Sequence, residues 1–324
     1  MTRVLVLGGT GWLSGRIARR WVDDGASVTC LARGGRPAPA GTRLIVADRT
    51  APDAYAAVAG EEWDEIVDIS SDPAAVGAAV EALGERAAHW SYVSSLSAYA
   101  DNADPDADES AALAVPLEPG DEYDYSRAKS AADRAVSALG DRAAIARPGL
   151  IVGPGDPTDR FGYWPSRFAL AGAGPVLVPD AEGLAAQVID VDDLADFVVA
   201  AARRGWTGTV NAIGPTMPLA AMLGVARAVA GHTGALRAAS PEWLVGQGVA
   251  HWAGPRSLPL WLPADMPGFA TRRGDAYRAA GGGIRPLEET VARVLADERE
   301  RGLDRARASG LTRAEELDLL AALA

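Results

Sequence analysis

An apolar run, Arg3 to Leu7, leads directly into Gly8-Gly9-Thr10-Gly11-Trp12-Leu13-Ser14-Gly15, and residues 12–22 then repeat with helical spacing. A strand, a glycine-rich turn and a helix in that order leave few folds open. Glycine is needed where a backbone turns tightly and where a bulky anion must approach main-chain N–H groups without a Cβ between them. The helix that follows offers unpaired donors and the positive end of its dipole. A glycine string alone is weak evidence. Placed between the first strand and first helix of an alternating chain, it marks a dinucleotide site, with Gly8, Thr10, Gly11, Trp12 and Leu13 as its expected contacts. Ser14 stands where the third glycine of the spacing Gly8-x-x-Gly11-x-x-Gly would fall. Serine is the smallest polar choice there, so a small shift of the loop is expected rather than lost binding.

The alternation continues. Short apolar runs at 26–31, 44–47, 65–69, 90–93 and 143–146 are separated by helix-like stretches at 52–58, 73–83 and 124–139. Unbroken apolar strands alternating with helices describe a parallel sheet covered on both faces. The expected architecture is α/β, a Rossmann-type doubly wound sheet with a smaller, mainly helical C-terminal substrate lobe. Boundaries are expected at 1–155 for the dinucleotide domain, with a return near 185–214, and 156–324 for the substrate lobe. Thr312 and Glu315 form a capping box before a stripe of Leu317, Leu319 and Leu320, a last helix expected to dock on its own lobe. The acidic stretch 101–122 reads as a solvated loop.

With 324 residues, 48% apolar and 23% charged, the chain has an ordinary globular composition and room for two cores. Its net charge of −12 argues against nucleic-acid or anionic-membrane partners, which demand a basic patch. The one cysteine, Cys30, lies in a strand and reads as a small apolar residue. The first strand begins at once, leaving no room for a signal peptide, and no apolar run approaches spanning length, so cytoplasmic residence is expected. The three histidines lack metal-ligand spacing, and no metal is expected. A homodimer is compatible with the sequence.

The second strand ends in Leu31-Ala32-Arg33. A free ribose 2′-hydroxyl is usually read by an acid near this distance. Here alanine and arginine occupy the place, and a guanidinium suits a 2′-phosphate. NADP is therefore the expected cofactor, with NAD the alternative. Asp48 closes the third strand at an expected adenine contact, and Ser70 follows the fourth where the cofactor backbone should pass.

Among 31 basic residues only Lys129 is a lysine, and it stands four residues after Tyr125. Arginine is a planar fork locked in the charged state, whereas lysine is a compact ammonium with three rotatable donors. A lysine at helical i,i+4 spacing from a tyrosine suggests a task that only an ammonium can perform; the plain alternative is a surface pair. The fifth strand ends in Tyr92-Val93-Ser94-Ser95-Leu96-Ser97-Ala98-Tyr99, and the sixth in Arg147-Pro148-Gly149.

Together, in this order, these motifs resemble the extended (or atypical) short-chain dehydrogenase/reductase superfamily, of the NAD(P)-dependent epimerase/dehydratase type. The resemblance covers roughly residues 1–215 well and the rest loosely. It implies Tyr125 as the catalytic tyrosine, Lys129 as its lysine and Ser95 as the hydroxyl residue, with Ser97 a neighbouring helper. Pro148 and Gly149 would shape the wall beside the nicotinamide. An ammonium and a positive nicotinamide favour a phenolate, and a phenol so tuned can exchange protons near neutrality. One departure carries information. Sugar dehydratases of the superfamily have an Asp-Glu pair directly after the hydroxyl residue, where this chain has Leu96-Ser97, which disfavours elimination of water.

On the substrate side, Arg160, Tyr163 and Trp164 are the expected pocket residues, the arginine for an anion or carbonyl and the rings for stacking. The alternative is that Arg160 pairs with Asp156 or Asp159 and that Trp164 is core. The resulting expectation is an NADP-dependent oxidoreductase reducing a carbonyl group of a small molecule. An NAD(P)-dependent epimerase of a sugar or nucleotide-sugar is the alternative. A non-catalytic cofactor-sensing or RNA-binding relative is a third class, disfavoured by the intact Ser95, Tyr125 and Lys129.

Overall fold

The computed structural model describes residues 1–323 as two compact units. The first comprises Met1–Gly149, Val191–Ile213 and Arg272–Gly283. Its centre is a seven-stranded sheet of β1 (Arg3–Leu7), β2 (Ser27–Ala32), β3 (Arg43–Val46), β4 (Glu65–Asp68), β5 (Trp90–Val93), β6 (Ala143–Pro148) and β7 (Gly208–Ala212). The strand order is β7-β6-β5-β4-β1-β2-β3, and every pairing is parallel. The order reverses between β1 and β4, which is where open α/β sheets present a ligand crevice at the carboxyl ends of their strands.

Four helices cover the two faces: α1 (Trp12–Asp23), α2 (Pro73–Leu83), α3 (Tyr125–Ser137) and α4 (Val191–Arg203). α1 and α4 pack together, with Arg20 of α1 bonded to Asp192 at 2.9 Å and also to Asp196. α2 and α3 share the other face over a core that includes Val76, Leu83, Trp90, Tyr92, Val136 and Ile145. Asp133 of α3 is wholly buried and takes a two-pronged bond from Arg147 of β6, both contacts at 2.9 Å. That pair fixes the rotation of α3, and with it the direction of Tyr125 and Lys129.

Four features depart from the sequence reading. Residues 52–58 form successive turns rather than a helix, although Ala54, Tyr55 and Val58 are buried in the core; a segment this short is marginal as a helix. The chain leaves the first unit at Leu150, and Val188–Asp190 pairs with Leu150–Val152 inside the second unit. It also comes back a second time, at 272–283, where Tyr277 is buried with its ring 4.7 Å from that of Phe197. The acidic stretch is anchored as well as solvated. Arg272 donates to the carbonyl of Asp101 at 2.6 Å, and Glu109 accepts from the Asn211 amide at 2.6 Å.

The second unit, 150–190, 214–271 and the described residues from 284 onward, has its own core built on Phe161, Trp164, Phe168, Val291 and Trp261. Its last helix, Arg313–Ala322, begins with the capping box of Thr312 and Glu315. Leu319 and Leu320 are buried in this core, whereas Leu317 is exposed.

Breaking a buried ion pair from one side leaves an uncompensated charge. Asp133→Ala is expected to cost about 3–5 kcal/mol in urea unfolding, and Asp133→Leu combined with Arg147→Met distinctly less. Equal losses in the two variants would show that charge compensation is not what the pair supplies.

Candidate active site

The glycine loop connects β1 to α1 at the switch point. Gly8 has φ +81°, a conformation that disfavours a side chain, and Gly9 lies so close to β2 that a Cβ would come within 2.4 Å of the Cys30 sulphur. Ser14, fully buried, donates to the Gly8 carbonyl at 2.6 Å and accepts from the Gly11 amide at 3.1 Å. The serine in the third-glycine position thus ties the loop shut on itself.

A cleft of about 490 Å³ opens over this loop. Gly8, Thr10 and Gly11 line one part of it, Arg33 and Asp48 another, and Ser70 a third. Trp12 and Leu13 are not lining residues. Leu13 is buried under the helix, and the Trp12 ring lies beside the Arg16 guanidinium, 5.5 Å away. What these two can present to a ligand is the backbone of the first helical turn, whose N–H groups lack intrahelical acceptors. The cleft also takes in Arg36, Thr50 and Asp72, which the sequence reading left out. The signal for Arg36 was present in Arg33-Gly34-Gly35-Arg36, a second guanidinium a short turn after the first. Asp48 accepts from the Thr50 amide at 3.0 Å and hydroxyl at 2.9 Å, and these bonds hold its carboxyl below the usual range.

The donor set fits a dinucleotide. A helix start and a glycine that leaves open space where its Cβ would stand suit a diphosphate, and the two arginines add positive charge to the cleft of an acidic protein. Among the described residues no His/Cys/Asp/Glu group could hold a metal, and no helix is long and apolar enough to cross a membrane.

Lys129 is 2% exposed. Its Nζ donates to the Ser70 carbonyl at 3.0 Å, the Val93 carbonyl at 3.1 Å and the Tyr92 hydroxyl at 3.3 Å. Ser70 lines the cleft, so the lysine lies directly behind the cleft wall. Burial pushes its pKa down to about 8, with Asp68 and Asp133 opposing the fall. Tyr125 opens α3 one turn earlier and is 44% exposed. The Asp124 side chain caps that turn, accepting from the Arg127 amide at 2.8 Å. None of the lysine's hydrogen bonds goes to Tyr125. Ser95 and Ser97, both half-buried, occupy the turn after β5, where the Ser95 hydroxyl accepts from the Ser97 amide at 3.1 Å. Pro148 ends β6 in the core, and Gly149 is half-buried beside it.

Tyr163 and Trp164 are not pocket residues. Each is 1% exposed in the second unit's core, and the Trp164 indole donates to the Pro259 carbonyl at 2.7 Å. Large aromatics in a small lobe fill volume first. Arg160 lies 5.2 Å from the ring of Trp252 and donates to the Thr158 hydroxyl at 3.1 Å. Asp159 is taken by Arg301 and Arg305.

Residues 4–214 match the NAD dependent epimerase/dehydratase family. The chain belongs to that family. It is thus an NAD(P)-dependent enzyme of the short-chain dehydrogenase/reductase type, and its cofactor is a nicotinamide dinucleotide. No curated protein matches the sequence. Solved structures resemble it over nearly their whole length. A candidate epimerase of Burkholderia cenocepacia J2315 has a TM-score of 0.72 at 21% identity, covering 92% of this chain and 98% of that one. UDP-glucose 4-epimerase of Thermotoga maritima, solved with UDP-glucose, gives 0.70 at 11%, covering 93% and 99%. UDP-glucuronic acid 4-epimerase of Bacillus cereus, in complex with NAD, gives 0.65 at 13%, also covering 93% and 99%. At these identities the likeness is one of fold.

The buried lysine has a consequence for stability. In the unfolded chain Lys129 keeps its proton up to its ordinary value of 10.5, whereas in the folded, cofactor-free protein it releases it near 8. Below pH 8 both states are protonated and the burial penalty is present in full; it disappears as pH rises to 10.5. The stability of the native chain relative to Lys129→Met should therefore rise by roughly 3 kcal/mol across that window. Parallel stability curves for the two proteins would contradict the burial of a titrating lysine.

Proposed function

We propose that this enzyme is an epimerase acting on a secondary alcohol of a sugar or nucleotide-sugar, with the cofactor retained through the cycle. Family membership supports this class of reaction, and Leu96-Ser97 in place of an acid pair argues against the family's dehydratase branch. The observation that carries the reading is the bond from Lys129 Nζ to the carbonyl of Ser70, a residue of the cleft wall, on the helix that also bears the accessible Tyr125.

A nicotinamide dinucleotide held in the cleft by Gly8, Thr10, Gly11, Arg33 and Ser70 would supply the hydride chemistry of the cycle. Tyr125 takes the proton from the substrate hydroxyl as the carbonyl forms and gives it back when the alcohol is rebuilt. The Ser95 hydroxyl donates to the same oxygen and keeps it within reach of Tyr125. Lys129 contributes positive charge one helical turn from Tyr125, behind the wall of the cleft. Inversion at the carbon would leave the cofactor unchanged over a full cycle, so an epimerase would consume no reductant.

A second reading has its own support. Arg33 and Arg36 line the cleft, and Ala32 stands where an acid would read a free 2′-hydroxyl. That favours NADP, the form used in net reduction, and fits a carbonyl reductase built on the same Ser95, Tyr125 and Lys129.

Stoichiometry separates the two. Incubated with a panel of nucleotide-sugars, the enzyme should interconvert epimers without net change in nicotinamide absorbance, and Tyr125→Phe should lose at least about 100-fold in turnover while still binding cofactor. Conversion that consumes one NADPH per product would replace the epimerase with the reductase. For cofactor choice, Arg33→Ala and Arg36→Ala should each weaken NADPH binding about tenfold or more and leave NADH nearly unaffected. Equal losses for both nucleotides would remove the 2′-phosphate contact.

A further inference from the structure

We propose that Tyr92 is a positioning residue of the catalytic centre, its buried phenol holding the Lys129 ammonium against the wall of the dinucleotide cleft. Calling the centre catalytic rests on the function proposed above; the placement of Lys129 by Tyr92 does not. Tyr92 lies on β5 and is 1% exposed. Its hydroxyl donates to the Ser70 carbonyl at 2.9 Å and accepts from Lys129 Nζ at 3.3 Å. Nζ also lies 5.1 Å from the centre of its ring, within cation–π range. An ammonium has three protons and no acceptor. Here the three find the carbonyls of Ser70 and Val93, fixed by the ends of two adjacent strands, and one side chain, Tyr92.

The charged groups around the lysine leave this task to the phenol. Asp68, on β4, is held by Arg49 through bonds of 2.8 and 2.6 Å, and Asp133, on α3, by Arg147. Both acids raise the lysine's affinity for its proton from a distance, but neither bonds to it. Tyr125, the remaining titratable neighbour on α3, is exposed. Burial, reinforced by Asp68 and Asp133, drives the Tyr92 phenol far above its ordinary range, so it stays neutral and does not carry protons itself. A phenylalanine would fill the same volume and leave Nζ one acceptor short. Tyr92 therefore acts on the reaction through Lys129, by fixing where its charge sits.

The chain contains a single lysine, so growth on labelled lysine gives one side-chain signal in an NMR spectrum. In the unsubstituted protein the ε-methylene of Lys129 should show a nuclear Overhauser contact with the Tyr92 ring, and its shift should titrate near pH 8. In Tyr92→Phe the midpoint should fall by about one pH unit, because the ammonium loses a charge-assisted bond stronger than any the neutral amine makes to the phenol. An unchanged midpoint in a folded Tyr92→Phe protein overturns the proposal. Absence of the contact in the unsubstituted protein overturns it too, even where the variant does not fold. Neither readout needs turnover. If no sugar proves to be a substrate, the function proposed above fails while the role of Tyr92 stands.

Discussion

The structure is organised around one buried ammonium. An aliphatic amine 2% exposed is costly unless its protons are matched, and Lys129 is matched by two strand-end carbonyls and a phenol. Those acceptors exist in place only because β4 and β5 are adjacent in a parallel sheet whose order reverses next to them. The same reversal opens the cleft that Ser70 shares with the glycine loop. Sheet topology, cofactor cleft and lysine are thus one arrangement seen from three sides. The Asp133–Arg147 pair anchors α3 to β6, and the four-residue spacing of the sequence puts Tyr125 one turn before the lysine.

Much of this was written plainly in the chain. Short apolar runs alternating with helical stretches point to a parallel sheet, because strands buried on both faces read as unbroken apolar segments. The glycine loop and Tyr125…Lys129 are local patterns with local causes, a close backbone approach and a helical turn. What was not legible depended on contacts between distant segments. Tyr163 and Trp164 look like pocket aromatics in sequence, and only packing shows that they fill a core. Tyr92 looked like one more strand residue until the lysine was found bonded to it. The second return of the chain at 272–283 is set by Tyr277 entering a core far away in sequence, and nothing periodic announces it.

The departures within the glycine loop follow the same physics. A serine at the third position is expected to shift the loop slightly. Its hydroxyl bonds both ends of the turn, so what the loop loses in smallness it regains in rigidity. The two arginines beyond β2 extend the cleft's positive charge away from the helix start, in a protein whose net charge of −12 would otherwise repel a polyanion.

A crystal structure grown with the dinucleotide tests the central claim most directly. It should show the diphosphate on the Gly8–Gly11 turn and the nicotinamide ribose against the wall where Lys129 bonds Ser70, with Tyr125 and Ser95 facing the reactive ring. A nicotinamide end that lies away from Lys129 and Tyr125, or a cleft that refuses the dinucleotide at saturating concentration, would contradict it.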